Sequence, residues 1–310
     1  MTNSPIIETE RLTRDFKSIT AVEELTLSIA PGELFGLVGP DGAGKTTTLR
    51  LLAGLLSVTD GEATILDFDL KSQAEAVKPH VGYMAQQFSL YGELSVLENL
   101  QFFAELFDVT KQEQAERTER LLEFAGLMEF TQRRAANLSG GMQKKLALAC
   151  TLIHQPEILL LDEPTTGVDP VSRREFWNIL TELHVQGTTI IVSTPYMDEA
   201  DRCSMVGLMY AGKLVECDTP QNIRARLEED VVQVQAEDWQ AALDTVAGLK
   251  GVREAQTYGE TVNLLVDDGK KRLREVKRAL KKSKIEYNSI RLAPVRMEEA
   301  FISLIRRMEE

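Results

Sequence analysis

The apolar positions change period several times along the chain, and each change predicts an element. Ile6-Ile7-Glu8-Thr9 and Leu25-Thr26-Leu27-Ser28-Ile29 alternate, as half-buried antiparallel strands do. Pro31-Gly32 then turns the chain into Leu34-Phe35-Gly36-Leu37-Val38, a run without a polar break that predicts a buried strand. Soon after it, Thr47-Thr48-Leu49-Arg50-Leu51-Leu52-Ala53-Gly54 carries an apolar face at helical spacing and stops at a glycine. Residues 62–66 and Val81-Gly82-Tyr83-Met84 read as further strands. From about Glu93 to Phe130 the period is helical, through Leu94, Leu97, Leu100, Phe102, Phe103 and Leu106, with a second helix near 112–124. The polar exteriors of these helices predict a helical subdomain, about 88–155, projecting from a sheet core. A third helix, 146–154, closes it.

Ile158-Leu159-Leu160-Leu161 is uniformly apolar and predicts a parallel strand covered on both faces. A helix over 172–186, a buried strand over 188–193 and a strand–turn–strand around Ala211-Gly212 follow. Past Pro220 the texture changes. Strands over 231–236, 252–256, 262–266 and 286–292 alternate with helices over 238–249 and 270–282, the β-α-β-β-α-β order of a ferredoxin-like domain. A last helix, 296–307, starts after Pro294. The expected fold is therefore α/β over residues 1–222, with antiparallel β and helical subdomains, and a small C-terminal α+β domain over 223–310.

A chain of 310 residues has room for one large domain and one smaller one, and 43% hydrophobic with 27% charged residues is the balance of a folded globular protein. No apolar run approaches the ~18 residues that would span a bilayer, and the first ten residues are polar. The expectation is a chain that is neither secreted nor itself membrane-spanning. Three scattered cysteines, Cys150, Cys203 and Cys217, make neither a disulfide framework nor a zinc pattern, so the cytosol is the expected compartment. Positions 1–221 hold 18 basic and 32 acidic residues, whereas 222–310 hold 17 and 16. An acidic core of that kind is a poor electrostatic partner for nucleic acid. The Lys- and Arg-rich run over 270–284 reads as a solvated helix face.

The chemistry gathers on Gly39-Pro40-Asp41-Gly42-Ala43-Gly44-Lys45-Thr46, which fits G-x-x-x-x-G-K-[ST] between a strand and a helix that opens with Thr47. Glycines let backbone N–H groups turn toward a phosphate chain, and the helix N-terminus adds positive potential. Lys45 would reach the β- and γ-phosphates, and Thr46 would offer its hydroxyl to Mg²⁺. Asp162 and Glu163 end a buried strand, where unpaired carboxylates are costly. Asp162 is thus a candidate Mg²⁺ ligand through water, and Glu163 the base that polarises the attacking water. Gln86, just past a strand end, could meet Mg²⁺ and that water through its amide oxygen. Phe16 is either an edge-of-core aromatic or a surface for an adenine to stack on, with Val22 close behind. Ser139-Gly140-Gly141-Met142-Gln143 is a second capped helix start with exposed donors, and a nucleotide held by a second subunit is its natural target.

Together these motifs resemble the ATP-binding subunit of an ABC (ATP-binding cassette) transporter, a P-loop NTPase with a RecA-like core, over residues 5–220. Leu138-Ser139-Gly140-Gly141-Met142-Gln143 matches the family signature, Gln86 its Q-loop, Phe16 its adenine-stacking aromatic, and Gly167-Val168-Asp169 its D-loop. The segment Ala293-Pro294-Val295-Arg296-Met297-Glu298-Glu299-Ala300-Phe301 is similar to the closing motif of ABC-2 type drug and polysaccharide exporters, whose membrane subunits are separate chains. The resemblance implies two cassettes head to tail, each ATP held between one phosphate loop and the other's signature helix, driving a permease from the cytoplasmic face of the membrane. One position departs from the family. Val192-Ser193-Thr194-Pro195-Tyr196-Met197-Asp198-Glu199-Ala200 carries Pro195 where the family's switch histidine stands, and His80, His154 and His184 cannot take that place. Slow hydrolysis at this chain's own site is the expectation, alongside a different cassette, in another subunit or in a longer polypeptide, that keeps the histidine. A homodimer, a regulatory ATP sensor and a non-transport ABC ATPase are the alternatives.

Overall fold

The computed structural model describes residues 4–87 and 90–309. It forms two compact units, the first ending at Thr219 and the second beginning at Pro220. That boundary falls slightly before the expected 222.

The first unit opens with β1 (Ile7–Phe16) and β2 (Ile19–Ile29), a hairpin longer than the alternation predicts. The reason is irregular pairing. Register shifts between Thr9 and Leu12 and between Leu12 and Arg14 break the two-residue period on which the reading relied. β3 (Leu34–Val38) is wholly buried and feeds the glycine loop and α1 (Lys45–Leu52). Leu49, Leu51 and Leu52 of α1 are fully buried, each such side chain stabilising the fold by about 1.5–3 kcal/mol. They share a core with Ile7, Leu25 and Ile29 of the hairpin and with Phe35 and Leu37 of β3. β4 (Asp60–Ile65), β5 (Phe68–Asp69), the single turn α2 (Ala74–Val77) and β6 (Val81–Met84) follow.

The helical part comprises α3 (Val96–Leu106), α4 (Lys111–Phe124) and α5 (Gly140–Leu152). Capping boxes start the first two, Ser95 with Glu98 and Thr110 with Glu113. The third begins at Gly140, not at position 146. The Ser139 hydroxyl accepts from the Met142 N–H, so the paired glycines form the first turn of the helix itself. The chain then returns through β7 (Ile158–Asp162), α6 (Pro170–Val185), β8 (Thr189–Thr194), α7 (Met197–Ala200), β9 (Met205–Tyr210) and β10 (Lys213–Asp218). One antiparallel sheet runs β2-β1-β4-β5. The other runs β10-β9-β3-β8-β7-β6, parallel except for the edge strand β10. Parallel pairing brings the C-terminal ends of β3, β8, β7 and β6 side by side, which is where open α/β sheets bind ligands.

The second unit contains α8 (Pro220–Ala225), β11 (Asp230–Gln235), α9 (Trp239–Val246), β12 (Val252–Tyr258), β13 (Thr261–Val266), α10 (Gly269–Lys282), β14 (Ser289–Ala293) and α11 (Met297–Glu309). Its antiparallel sheet has the order β12-β13-β11-β14, with the first and third strands central. Ala242 and Val246 of α9 and Val276 and Leu280 of α10 pack on Val232, Val234, Val262 and Leu264. Polar side chains from β11, β13 and α11 form a separate chain of contacts. Gln233 donates to Asn263 (3.1 Å), Asn263 donates to the fully buried Glu299 (2.9 Å), and Glu299 accepts the Arg296 N–H (2.8 Å). Glu299 of the closing motif therefore both caps α11 and ties it to the central strand. Lys270, Lys271, Arg274, Lys277 and Arg278 of α10 are exposed, a solvated basic face.

His154, just past α5, stacks on Phe107, with ring centroids 3.8 Å apart and planes 8° from parallel. Burial pushes its pKa from 6.5 down to about 4. The unfolded ring protonates first as pH falls, so this group's contribution to stability is complete above pH 6.5 and is lost on the way down to about 4. His154→Phe, which keeps the stacked ring, is expected to flatten the acid limb of stability across that window. Urea unfolding at a series of pH values checks it.

Candidate nucleotide-binding site

The glycine loop is shaped by close backbone approach. A Cβ on Gly39 would lie 2.2 Å from the Met209 carbonyl oxygen, and one on Gly44 would lie 2.5 Å from that of Ala21. Gly44 also has φ 103°, in the left-handed region. No other residue fits either place. The Gly39 N–H donates to the Thr194 carbonyl at the end of β8 (3.2 Å), which anchors the loop to the sheet. Above it opens a polar cavity of about 580 Å³, lined by residues 41–47, by residues 19–21 of β2, by Ala211 and Gly212, and by Gln86 and Glu163. Glycine amides at a helix N-terminus, with a lysine, fit a phosphate chain.

The two acids lie at the end of β7 and are held in different ways. Asp162 is fully buried and accepts at one oxygen from Thr46 (3.0 Å) and Ser193 (2.7 Å), and at the other from the Tyr83 hydroxyl (3.3 Å). Burial raises the pKa of Tyr83, so its hydroxyl stays a donor. Glu163 sits in the left-handed region at φ 44°, a placement that costs about 1–3 kcal/mol for a non-glycine residue. Its N–H donates to the Ser193 carbonyl and hydroxyl (3.2 and 3.0 Å), which helps to hold that turn. One carboxylate oxygen lies 3.3 Å from the Lys45 ammonium, and the other accepts from Gln86 (2.7 Å) and Thr166 (3.2 Å). Lys45 is itself buried and donates to the carbonyls of Gly39 (2.8 Å) and Pro40 (3.0 Å). Lys144 of α5 donates to the backbone oxygen of Gln86 (2.5 Å). Burial lowers its pKa, against the pull of Asp162 and Glu163.

The fold therefore joins Lys45, Thr46, Gln86, Asp162 and Glu163 in one cluster, with Asp41, Gly42, Ala43, Gly44 and Thr47 along its wall. Other sequence candidates lie elsewhere. Val22 is fully buried in the core, because the alternation of β2 turns it inward and presents Ala21 to the cavity instead. Phe16 ends β1 about 41% exposed beneath the Arg14 guanidinium, 4.6 Å from its ring centre, and is not among the cavity walls. Ser139 and Gly140 are exposed, Gly141 packs on Ser172, and Gln143 donates to the Ala135 carbonyl (3.1 Å). Asp169 caps α6 by accepting the Val171 and Ser172 N–H groups, and its carboxyl is held below the usual range first by the Ser172 side chain and then by these N–H groups. Pro195 is half-buried just beyond β8. Ser193, Thr166, Tyr83 and Lys144 were not among the expected site residues. For Ser193 a signal was readable, since a hydroxyl that follows the apolar run Ile190-Ile191-Val192 in a buried strand needs a partner.

A family model described as ABC transporter matches residues 22–166. The chain is 43% identical over 225 residues to the probable multidrug ABC transporter ATP-binding protein YbhF of Escherichia coli, a match covering 73% of this chain and 39% of that protein. It is thus about two-fifths of YbhF that the chain spans. It is 36% identical to the Nod factor export ATP-binding protein I of Cupriavidus metallidurans, over 83% of this chain and 85% of that one. Among solved structures, the dimeric post-hydrolysis state of the ATP-binding cassette MJ0796, bound to ADP and Pi, superposes with a TM-score of 0.63 at 26% identity, covering 69% of this chain and 98% of that one. Phosphate loop, paired acids and these likenesses converge, and the chain belongs to the ABC transporter family as one of its ATP-binding cassettes.

Proposed function

We propose that this chain is the ATP-hydrolysing subunit of an ABC-2 type exporter, bound to the cytoplasmic face of the membrane through separate permease subunits. The observation that carries the reading is the meeting of Lys45, Gln86 and Glu163 at one wall of the phosphate-loop cavity, with Thr46 on Asp162 beside them. In this reading the loop amides and Lys45 bind the β- and γ-phosphates. Thr46, Asp162 and Gln86 offer oxygen donors of the kind Mg²⁺ takes, the metal supplying charge neutralisation at the phosphates. Glu163 accepts the proton of the attacking water, and Gln86 orients it. Exporter function is supported by the relatives' names, multidrug transporter and Nod factor export.

Two cassettes are needed for a complete site. Ser139 and Gly140 point their helix start into solvent, so a second chain's triphosphate can reach it. Dimerisation of the structurally similar MJ0796 supports the same reading. The exposed Tyr91, Phe102 and Leu106 suit a permease contact, because Tyr91 and Phe102 stack edge to face, with centroids 4.6 Å apart, while still reaching solvent. No nucleic-acid partner is proposed for so acidic a cassette. Pro195 offers no side-chain donor to a γ-phosphate and no N–H. Hydrolysis at this chain's own phosphate loop is therefore slow, and the better fit is a heteromeric partner cassette that brings a histidine. A second reading, an ATP sensor that closes on ATP and opens by dissociation, is favoured by the same proline.

With Glu163→Gln and saturating Mg-ATP, the protein is expected to run as a dimer, alone or with its partner cassette, in size-exclusion chromatography. A cysteine at Ser139 should then crosslink to one beside Lys45 of the other molecule. A persistent monomer in both settings would remove the engine proposed. Pro195→His is expected to raise phosphate release by roughly 10²-fold, the worth of one transition-state donor. No gain would indicate a mechanism that relies on Glu163 alone, and no release from either protein would favour the sensor.

A further inference from the structure

Glu199 is a carboxylate buried to 1% exposure that takes no part in the site described above. It receives four side-chain donors from three parts of the fold. One oxygen accepts from Thr165 (2.7 Å), from the Arg173 guanidinium (2.6 Å) and from the indole N–H of Trp177 (2.8 Å). The other accepts from the Thr194 hydroxyl (2.5 Å). Thr165 lies two residues beyond Glu163. Arg173 and Trp177 belong to α6, the helix capped by Asp169. Thr194 ends β8, and its carbonyl receives the Gly39 N–H at the head of the phosphate loop. The Thr194 hydroxyl also accepts the Tyr196 N–H (3.0 Å), closing a turn around Pro195. Arg173 adds a second hold on this segment, over the Tyr196 ring at 4.3 Å from its centre and on Asp198 at 2.8 Å.

We propose that Glu199 is a positioning residue for ATP hydrolysis: it locks the phosphate-loop anchor at Thr194, the segment carrying Glu163, and helix α6 into one rigid unit. The physical basis is desolvation. A buried carboxylate that lost one of these donors would keep its desolvation penalty, so the four donors move together or not at all. Any shift of the Thr194 carbonyl by nucleotide binding at the Gly39 loop is therefore passed to α6 through a single carboxylate. This holds Glu163 and Asp169 in fixed relation, and it does so without the donor that Pro195 lacks. The inference rests on the reading that this chain turns over ATP, and one of its readouts does not.

That readout is Trp177, one of only two tryptophans in the chain. In a Trp239→Phe background its fluorescence reports movement of the locked unit against its surroundings, through the Glu199 contact and the Arg202 guanidinium 5.7 Å from the ring centre. The expected result is a saturable change in Trp177 emission on adding Mg-ATP to the protein, alone or with its partner cassette, and its loss in Glu199→Gln. That variant keeps an acceptor oxygen but loses the charge facing Arg173, so it should fold with a thermal midpoint lowered by roughly 5–10 °C, and its assays are run well below that midpoint. It should half-saturate with a fluorescent ATP analogue at nearly the wild-type concentration while its phosphate release falls by roughly 10²-fold. Thr194→Val, which cuts the arm to β8 together with the turn contact to the Tyr196 N–H, should uncouple Trp177 from nucleotide in the same way. An unresponsive Trp177 in the parent overturns the inference, as do turnover and emission in Glu199→Gln that match the parent. Loss of nucleotide binding in step with loss of folded protein in both variants also overturns it, because the role would then be structural only. If the parent releases no phosphate yet Trp177 responds and Glu199→Gln abolishes the response, the coupling stands and the hydrolytic reading falls.

Discussion

Two adjacent carboxylates at the end of a buried strand are the constraint around which this cassette is built. Neither Asp162 nor Glu163 is more than about 5% exposed, so bulk water does little to stabilise their charges. Each must be satisfied by the protein, and the donors come from almost every element nearby. Lys45 and Thr46 come from the start of α1, Ser193 from β8, Tyr83 from β6, and Gln86 from the segment beyond β6. Truncating one member of such a buried pair typically costs about 3–5 kcal/mol, because the other charge is left uncompensated. Three of these donors, Lys45, Thr46 and Gln86, are the ones proposed above to meet the phosphates and their metal. Stability of the sheet end and readiness for chemistry are thus one arrangement.

Backbone shape is subordinate to that arrangement. The glycine loop passes so close to Met209 and Ala21 that a methyl group at Gly39 or Gly44 would overlap a carbonyl oxygen. Glu163 accepts a left-handed conformation, and the Ser193 contacts to its N–H offset part of the strain. A further buried carboxylate, Glu199, repeats the principle one layer out, with four donors fixing the exit of β8 against α6. Rigid elements thus hold the ends of the loops, while the helix start at Ser139 stays open to solvent. In the function proposed above, that outward helix start is the half-site a second cassette completes, with ATP as the ligand that favours the closed pair.

What could be read from the residues alone was whatever depends on short-range pattern. Uniformly apolar runs located β3 and β7, and the apolar stretch Ile190-Ile191-Val192 located β8, since a strand covered on both faces admits few polar breaks. The β-α-β-β-α-β order of the C-terminal unit was legible for the same reason, and the observed β12-β13-β11-β14 sheet agrees with it. The glycine spacing marked the loop, because a tight turn before a helix with a lysine at its start has few other purposes. Tertiary structure decided what depends on register and on distant partners. Bulges in β1 and β2 made the hairpin longer than its alternation, and the facing of β2 placed Ala21, not Val22, at the cavity. Ser193 meets Asp162 only when β7 and β8 pair in parallel, and Lys144 and Glu199 find their distant partners only in the folded unit; no local pattern records such a neighbour. A buried charge declares that it needs partners, but only the folded sheet says which ones.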